Sequence, residues 1–244
     1  MGRDDRSVTR AGRFSDAIRR ARASGRVPVI CDIKPASPRD GDLLRGRSPG
    51  ELARSLEASG ACALSVVTES THFGGSIEAL HEVVRATSLP VLQKDFFSET
   101  RQVEESRQAG ASAVLLILAT TSDADAASIF QTAHSLGMEV VVEVHTRGEL
   151  ARALRLDPGI IGINNRNILE LETDPGDVGV TEELAPAVPD YVLVISESSL
   201  RSAEDVARAF RAGADAVLVG TALLQAPQLA ERLAELAGAP AVEA

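Results

Sequence analysis

Residues 98–118 read SETRQVEESRQAGASAVLLIL, and this stretch holds one complete unit of the fold. Ser98 is placed to cap a helix, Gly110 to stop it, and Ala113–Leu118 follows as an unbroken apolar run. A run that is apolar at every position, rather than at alternate ones, suits a strand buried on both faces. The same pattern returns in SPGELARSLEASGA, with Ser48 as cap, Pro49 in the first helical position and Gly60 as stop. It returns again in SDADAASIFQTAHSLG, with Ser122 and Gly137, and in SAEDVARAFRAGA, with Ser202 and Gly213. Four units of cap, helix, glycine and strand mark repeated βα modules. The phrase AGA followed by Ala-Val-Leu recurs at Gly110–Leu115 and Gly213–Leu218, either a half-barrel echo or the shared chemistry of αβ loops.

Outward from these units, eight apolar runs can be counted: Val29–Ile33, Leu64–Thr68, Pro90–Lys94, Ala113–Leu118, Glu139–Val144, Ile160–Asn164, Tyr191–Ser196 and Ala216–Val219. Eight runs in 244 residues predict a single (β/α)8 TIM barrel, a fold that needs about 250. The alternative, a doubly wound open sheet, would carry a G-x-G-x-x-G turn after its first strand, and none follows Val29–Ile33. One domain is expected over 1–244. Residues 1–25 are expected to be an N-terminal extension with one helix at Phe14–Ala23, and 238–244 are expected to be a disordered tail.

Composition narrows the function. The net charge of −10 argues against nucleic-acid and anionic-membrane partners. No apolar run reaches the length of a membrane span, and the charged start MGRDDRSVTRAGR leads into no signal-type segment. Cys31 and Cys62 are too few for a disulfide framework. His72, His81, His134 and His145 are scattered and read as surface or satisfied residues, so no metal is expected. A cytoplasmic protein, monomeric or weakly dimeric, is the expectation.

The chain has two lysines, Lys34 and Lys94, against 23 arginines, and each lysine stands at the end of an apolar run. Arginine stays charged at any working pH, whereas lysine can be tuned to give and take a proton. In a barrel the chemistry stands at the C-terminal ends of the strands. There the sequence places Asp32 and Lys34, then Lys94 followed by Phe96, then Glu143, Asn164 with Arg166, Glu197 with Ser198 and Ser199, and Gly220 with Thr221. Glu143 lies between valines, where a carboxylate is costly to bury unless paired, and lysines in the same mouth would pair it. Opposed lysines and glutamates in one dry mouth can serve as general acid and base. The loops SESSL and GTALL, after strands seven and eight, stand where this fold binds phosphate, and Ser37 in the first loop adds a hydroxyl. A phosphorylated small molecule is the expected partner.

These residues resemble the indole-3-glycerol phosphate synthase family. The likeness is carried by CDIKPASPRDG, LSVVTESTHFGGS, PVLQKDFF, AVLLIL, LGMEVVVEVH, IGINNRN, ISESS and AVLVGTALL, in that order over almost the whole chain. The resemblance implies a decarboxylating lyase of tryptophan, or specialised indole, biosynthesis that needs no cofactor. Its substrate would be 1-(2-carboxyphenylamino)-1-deoxyribulose 5-phosphate. It implies Lys94 as general acid, Lys34 as holder of the substrate carboxylate and a participant in proton transfer, and Glu143 as base. Asn164, Glu197 and Asp32 would support them. Ser37, Ser198, Ser199, Gly220 and Thr221 fall on phosphate-binding positions, Phe73, Phe96 and Ile168 on the wall of the anthranilate pocket, and Arg166 on a charge behind it.

Three departures stand out. Asp32 replaces a usual glutamate, Ser199 a usual glycine, and the leader is short, so a helix that covers the site in the family could be reduced. The alternatives are a sugar-phosphate isomerase of the same barrel superfamily and a non-catalytic paralogue that binds a phosphate ligand.

Overall fold

The computed structural model of the protein describes residues 13–238. The outer parts of the expected extension and tail, 1–12 and 239–244, lie outside the described residues. Eight strands form the barrel: β1 (Val29–Ile33), β2 (Ala63–Val67), β3 (Val91–Lys94), β4 (Ala113–Ile117), β5 (Glu139–Val144), β6 (Ile160–Asn164), β7 (Leu193–Glu197) and β8 (Ala216–Val219). All neighbours are parallel, and β8 returns to β1 with Val217 opposite Val29, so the sheet closes. The open-sheet alternative is thereby excluded.

The strands match the expected runs to within a residue, except near 191. Tyr191 is 71% exposed and belongs to a turn in which Val192 N donates to Pro189 O at 2.9 Å. Strand β7 therefore starts at Leu193 and runs on to Glu197, which makes Glu197 the last residue of the strand.

Around the barrel lie α1 (Arg13–Ala23), α2 (Pro49–Ala58), α3 (Ile77–Ala86), α4 (Thr100–Ala109), α5 (Asp123–Ser135), α6 (Arg147–Leu154), α7 (Gly179–Leu184), α8 (Ala203–Arg211), α9 (Thr221–Leu224) and α10 (Leu229–Ala237). Ser48, Ser122 and Ser202 cap α2, α5 and α8 as expected, each accepting from a backbone N–H three residues on. Ser98 does not cap α4. Glu99 takes that position, and the Gln102 side chain accepts from both Ser98 N and Glu99 N, at 2.8 and 2.9 Å. Gly60, Gly110, Gly137 and Gly213 all take positive φ at helix ends, the conformation that favours glycine. Helices α3 and α6 escaped the pattern because they stop at Thr87 and Arg155, without a glycine, although Ser76 and Thr146 cap their starts.

Apolar side chains form two layers. One lies between strands and helices, with Leu52, Leu56, Leu80, Val103 and Ile129 buried against the sheet. The other fills the barrel, where Ile30, Leu92, Leu115, Val141, Ile195 and Leu218 meet Phe14 and Ile18 of α1. Helix α1 therefore plugs the floor. Its first N–H groups, those of Phe14 and Ser15, donate to the Glu139 carboxylate at the start of β5 (2.8 and 3.1 Å), and Arg22 pairs with Asp215 just before β8. The opposite end stays open to carry polar side chains. A small hairpin, Ala36–Ser37 with Gly41–Asp42, rises beside it after β1.

Candidate active site

A cavity of about 380 Å³ opens at the C-terminal ends of the strands. That is the size of a small-metabolite site. Lys34, Lys94, Asp32, Glu143, Phe73, Phe96, Arg166, Ile168, Ser198, Ser199, Gly220 and Thr221 all line it. Asn164 and Glu197 lie buried beneath it at the ends of β6 and β7, opposite one another in the sheet register. Of the residues singled out in the sequence, Ser37 alone is turned elsewhere. Its hydroxyl accepts from Asp40 N at 2.9 Å and donates to the Asp40 carboxylate at 3.1 Å, closing its own loop.

Two charge clusters organise the mouth. In the first, the Lys94 ammonium donates to Glu197 Oε2 at 2.7 Å and stands 3.8 Å from Glu143 Oε2. Burial opposes the charge on Lys94. The carboxylates of Glu197, Glu143, Asp32 and Glu172 outweigh it and hold the ammonium well above the ordinary lysine range. Glu143 experiences the converse. Burial pushes its carboxyl up to about 7, the Lys94 ammonium opposes the rise, and Glu197 adds to it. The far oxygens Asp32 Oδ1, Glu143 Oε1 and Glu197 Oε1 are buried without a hydrogen-bond partner in the protein. Buried polar atoms are almost always paired within a fold, and Asp32 lines the cavity, so its unpaired oxygen suits a site that works on a ligand.

Behind Glu143 stands His145, with Nε2 3.5 Å from Glu143 Oε1 and Nδ1 3.1 Å from Glu149 Oε2. Burial lowers the affinity of this imidazole for a proton, but Glu149 and Glu143 raise it further, and the net shift is upward.

In the second cluster, Lys34 Nζ lies 3.4 Å from Glu172 Oε2 and 5.4 Å from the centre of the Phe73 ring. Asn164 Nδ2 and Ser198 Oγ donate to Glu172 Oε1 at 3.1 and 3.2 Å. Burial would raise the Glu172 carboxyl, yet Lys34, Lys94, Asn164 and Arg166 bring it down to about 2.

Ser198 and Ser199 both take positive φ, 63° and 58°. Ser199 Oγ accepts from Arg166 Nε at 3.3 Å and donates to Pro175 O at 3.4 Å. This hydroxyl ties down the loop after β6. Gly220 lies so close to β1 that a Cβ there would come 3.1 Å from Asp32 Cβ. Among the described residues, no group of His, Cys, Asp and Glu could hold a metal ion, and no helix is long and apolar enough to cross a membrane.

Comparison with known proteins agrees with this arrangement. The family model described as indole-3-glycerol phosphate synthase matches residues 3–236. The chain belongs to the indole-3-glycerol phosphate synthase family. Proteins of that name from Thermococcus kodakarensis and Pyrococcus furiosus are each 44% identical to it. The first match spans 223 residues, 91% of this chain and 96% of the relative; the second spans 220 residues, 90% and 94%. A further relative of the same name, from Kineococcus radiotolerans, is 43% identical over 221 residues, 89% of this chain and 80% of the relative. A solved structure described as a cube-shaped, highly porous protein cage, designed by fusing symmetric oligomeric domains, has a TM-score of 0.60 and 17% identity. The match covers 87% of this chain and 70% of that one, and it speaks to the fold alone.

Membership of the synthase family puts the residues missed in the sequence in relief. Glu172, Arg39, Arg201 and Arg232 also line the cavity. None stands at a strand end, so the rule that found the lysines could not find them. Gly162 is the other omission. It sits in β6 between Glu143 and Glu197, and a Cβ there would stand 2.3 Å from Glu197 Oε1. The glycine of IGINN is the space that the Glu197 carboxylate fills.

Proposed function

We propose that this protein closes the indole ring, converting 1-(2-carboxyphenylamino)-1-deoxyribulose 5-phosphate to indole-3-glycerol phosphate, carbon dioxide and water. The observation that carries this reading is the Lys94 ammonium held between Glu197 at 2.7 Å and Glu143 at 3.8 Å, at the mouth of a cavity with aromatic walls.

Lys94 is protonated at rest, as a general acid must be. It gives its proton to the ribulose carbonyl oxygen while the ring carbon bearing the carboxylate attacks the carbonyl carbon. Loss of that carboxylate as carbon dioxide returns an electron pair to the ring. The new hydroxyl then takes a second proton, from the Lys34 ammonium, and leaves as water, and Glu143 takes up the proton released from carbon as the five-membered ring becomes aromatic. A base titrating near about 7 is suited to that step at neutral pH. Phe73, Phe96 and Ile168 supply apolar surface for the anthranilate ring, which must meet the carbonyl in reactive geometry. Lys34 holds the carboxylate until it departs, and Asn164, Glu197 and Asp32 fix the acid and base. The phosphate sits near Ser198, Ser199, Gly220 and Thr221, with Arg166 and its neighbours supplying positive charge. Ser37 would need its loop to reopen before it could join them.

The apolar wall favours this reading over a sugar-phosphate isomerase, which has no aromatic ring to bury. We read the chain as one barrel domain working in the cytoplasm, and its net charge of −10 disfavours nucleic acid as a partner. Incubation with the carboxyphenylamino-deoxyribulose phosphate tests the proposal. Indole fluorescence should appear, and its absence from folded protein would overturn the assignment.

A further inference from the structure

Lys34, assigned to the substrate carboxylate, Ser198, assigned to the phosphate, and the supporting Asn164 are already engaged by the protein. Lys34, Asn164 and Ser198 all direct their polar atoms at one protein carboxylate, that of Glu172, at 3.4, 3.1 and 3.2 Å. The Glu172 side chain is only 11% exposed. It comes from the loop after β6 and not from a strand. There Leu171 and Glu172 take φ of 52° and 56° in succession. The left-handed region is unfavourable for residues other than glycine, so this conformation persists only where contacts outweigh it. The contacts are Glu172 itself on the inside and, on the outside, Arg166 Nη1 to Glu172 O at 3.5 Å and Arg39 Nη1 to Asp174 O at 3.3 Å.

Arg39, Arg166, Arg201 and Arg232 line the cavity and can meet a phosphate, but the Lys34 ammonium is already held by the Glu172 carboxylate. A substrate bearing both a carboxylate and a phosphate adds further negative charge. Lys34 and Asn164 cannot hold the Glu172 carboxylate and the substrate's carboxylate in the same place, because like charges that close in a dry site repel strongly. Glu172 is the one whose loop can carry it out, because Asp32, Glu143 and Glu197 lie within barrel strands.

We propose that Glu172 is the resting occupant of the substrate-carboxylate position, exchanging with the substrate's own carboxylate on Lys34 and Asn164. This inference rests on the function proposed above. In the free protein Glu172 keeps Lys34 paired and oriented. On binding, its place is taken and the β6 loop rearranges. Affinity is therefore reduced by the work of displacing it.

Steady-state kinetics of Glu172→Gln and Glu172→Ala test the exchange. Glutamine keeps the size and loses the charge. Exchanging an ionic contact for a neutral one should lower KM about tenfold. Anthranilate, which carries the carboxylate alone, should inhibit Glu172→Gln at about tenfold lower concentration than it inhibits wild type. Aniline, which lacks the carboxylate, should inhibit both equally. An unchanged or raised KM in both variants, or equal tightening of aniline, would overturn the exchange. Wild-type protein that forms no product at all would instead overturn the proposed function, so the two failures are distinguishable. If the glutamine variant does not fold, the alanine variant decides by the same criteria.

Discussion

Gly162 and Glu197 share one space: a Cβ on the first would lie 2.3 Å from a carboxylate oxygen of the second. The contact crosses from β6 to β7 and lies directly beneath Lys94, whose ammonium depends on that carboxylate. Gly162→Ala should therefore push Glu197 aside and take Lys94 with it. Overpacking of this kind costs about 1–3 kcal/mol of stability, whereas a displacement of about 1 Å at a catalytic group costs about a hundredfold in rate. Urea unfolding and turnover of the same variant separate the two. A variant that loses stability but keeps full turnover would show that Glu197 does not position Lys94.

The position of Glu143 near about 7 predicts both a rate profile and a stability profile. As a base it works when ionised, so kcat/KM should rise with pH through about 7. In an unfolded chain a glutamate titrates near about 4.3. Because the folded value is raised, the folded state holds the proton more tightly. The stability this contributes is complete below about 4.3 and is lost as pH rises through 7, by at most about 4 kcal/mol. Glu143→Gln cannot titrate. Its stability relative to wild type should increase between pH 4.5 and 8 in urea unfolding, and a constant difference would contradict the assignment.

His145 lowers the Glu143 carboxyl by its charge, from 3.5 Å away. His145→Asn removes that charge, so the rising limb of kcat/KM should move to higher pH while its plateau survives. A lower plateau with an unmoved limb would assign His145 a structural role only.

Ser199 occupies a left-handed position that favours glycine. Ser199→Gly should relieve backbone strain while losing the contacts to Arg166 and Pro175. These effects offset, leaving stability within about 1 kcal/mol of wild type. Turnover should stay within a few-fold, and a loss beyond about tenfold would show that the serine hydroxyl serves the phosphate directly.

What could be read in the sequence was what breaks a pattern. Lys34, Lys94 and Glu143 were legible because each is a charge at or inside an apolar run, where burial demands a reason. The barrel was legible because its caps, stops and strands repeat. Glu172 was not, since in LELETDPG it is one acidic residue among several, and only the turn of the loop brings it over Lys34. His145 was set among scattered histidines, and its place behind Glu143 follows from β5 running straight into the cap of α6. Ser37 went the other way: its hydroxyl looked free in sequence, but Asp40, three residues on, engages it. Short-range hydrogen bonds of this kind compete with function and leave little trace in spacing.

In the proposed reaction Lys94 gives up a proton. Single-turnover indole formation by Lys94→Arg, compared with wild type and Lys94→Ala, tests it most directly. Arginine keeps the charge beside Glu197 and Glu143 but cannot donate at neutral pH. Lys94→Arg should be as inactive as Lys94→Ala, down by at least about a hundredfold. Near wild-type product formation by Lys94→Arg would show that the positive charge alone is needed, and that Lys94 is not the acid.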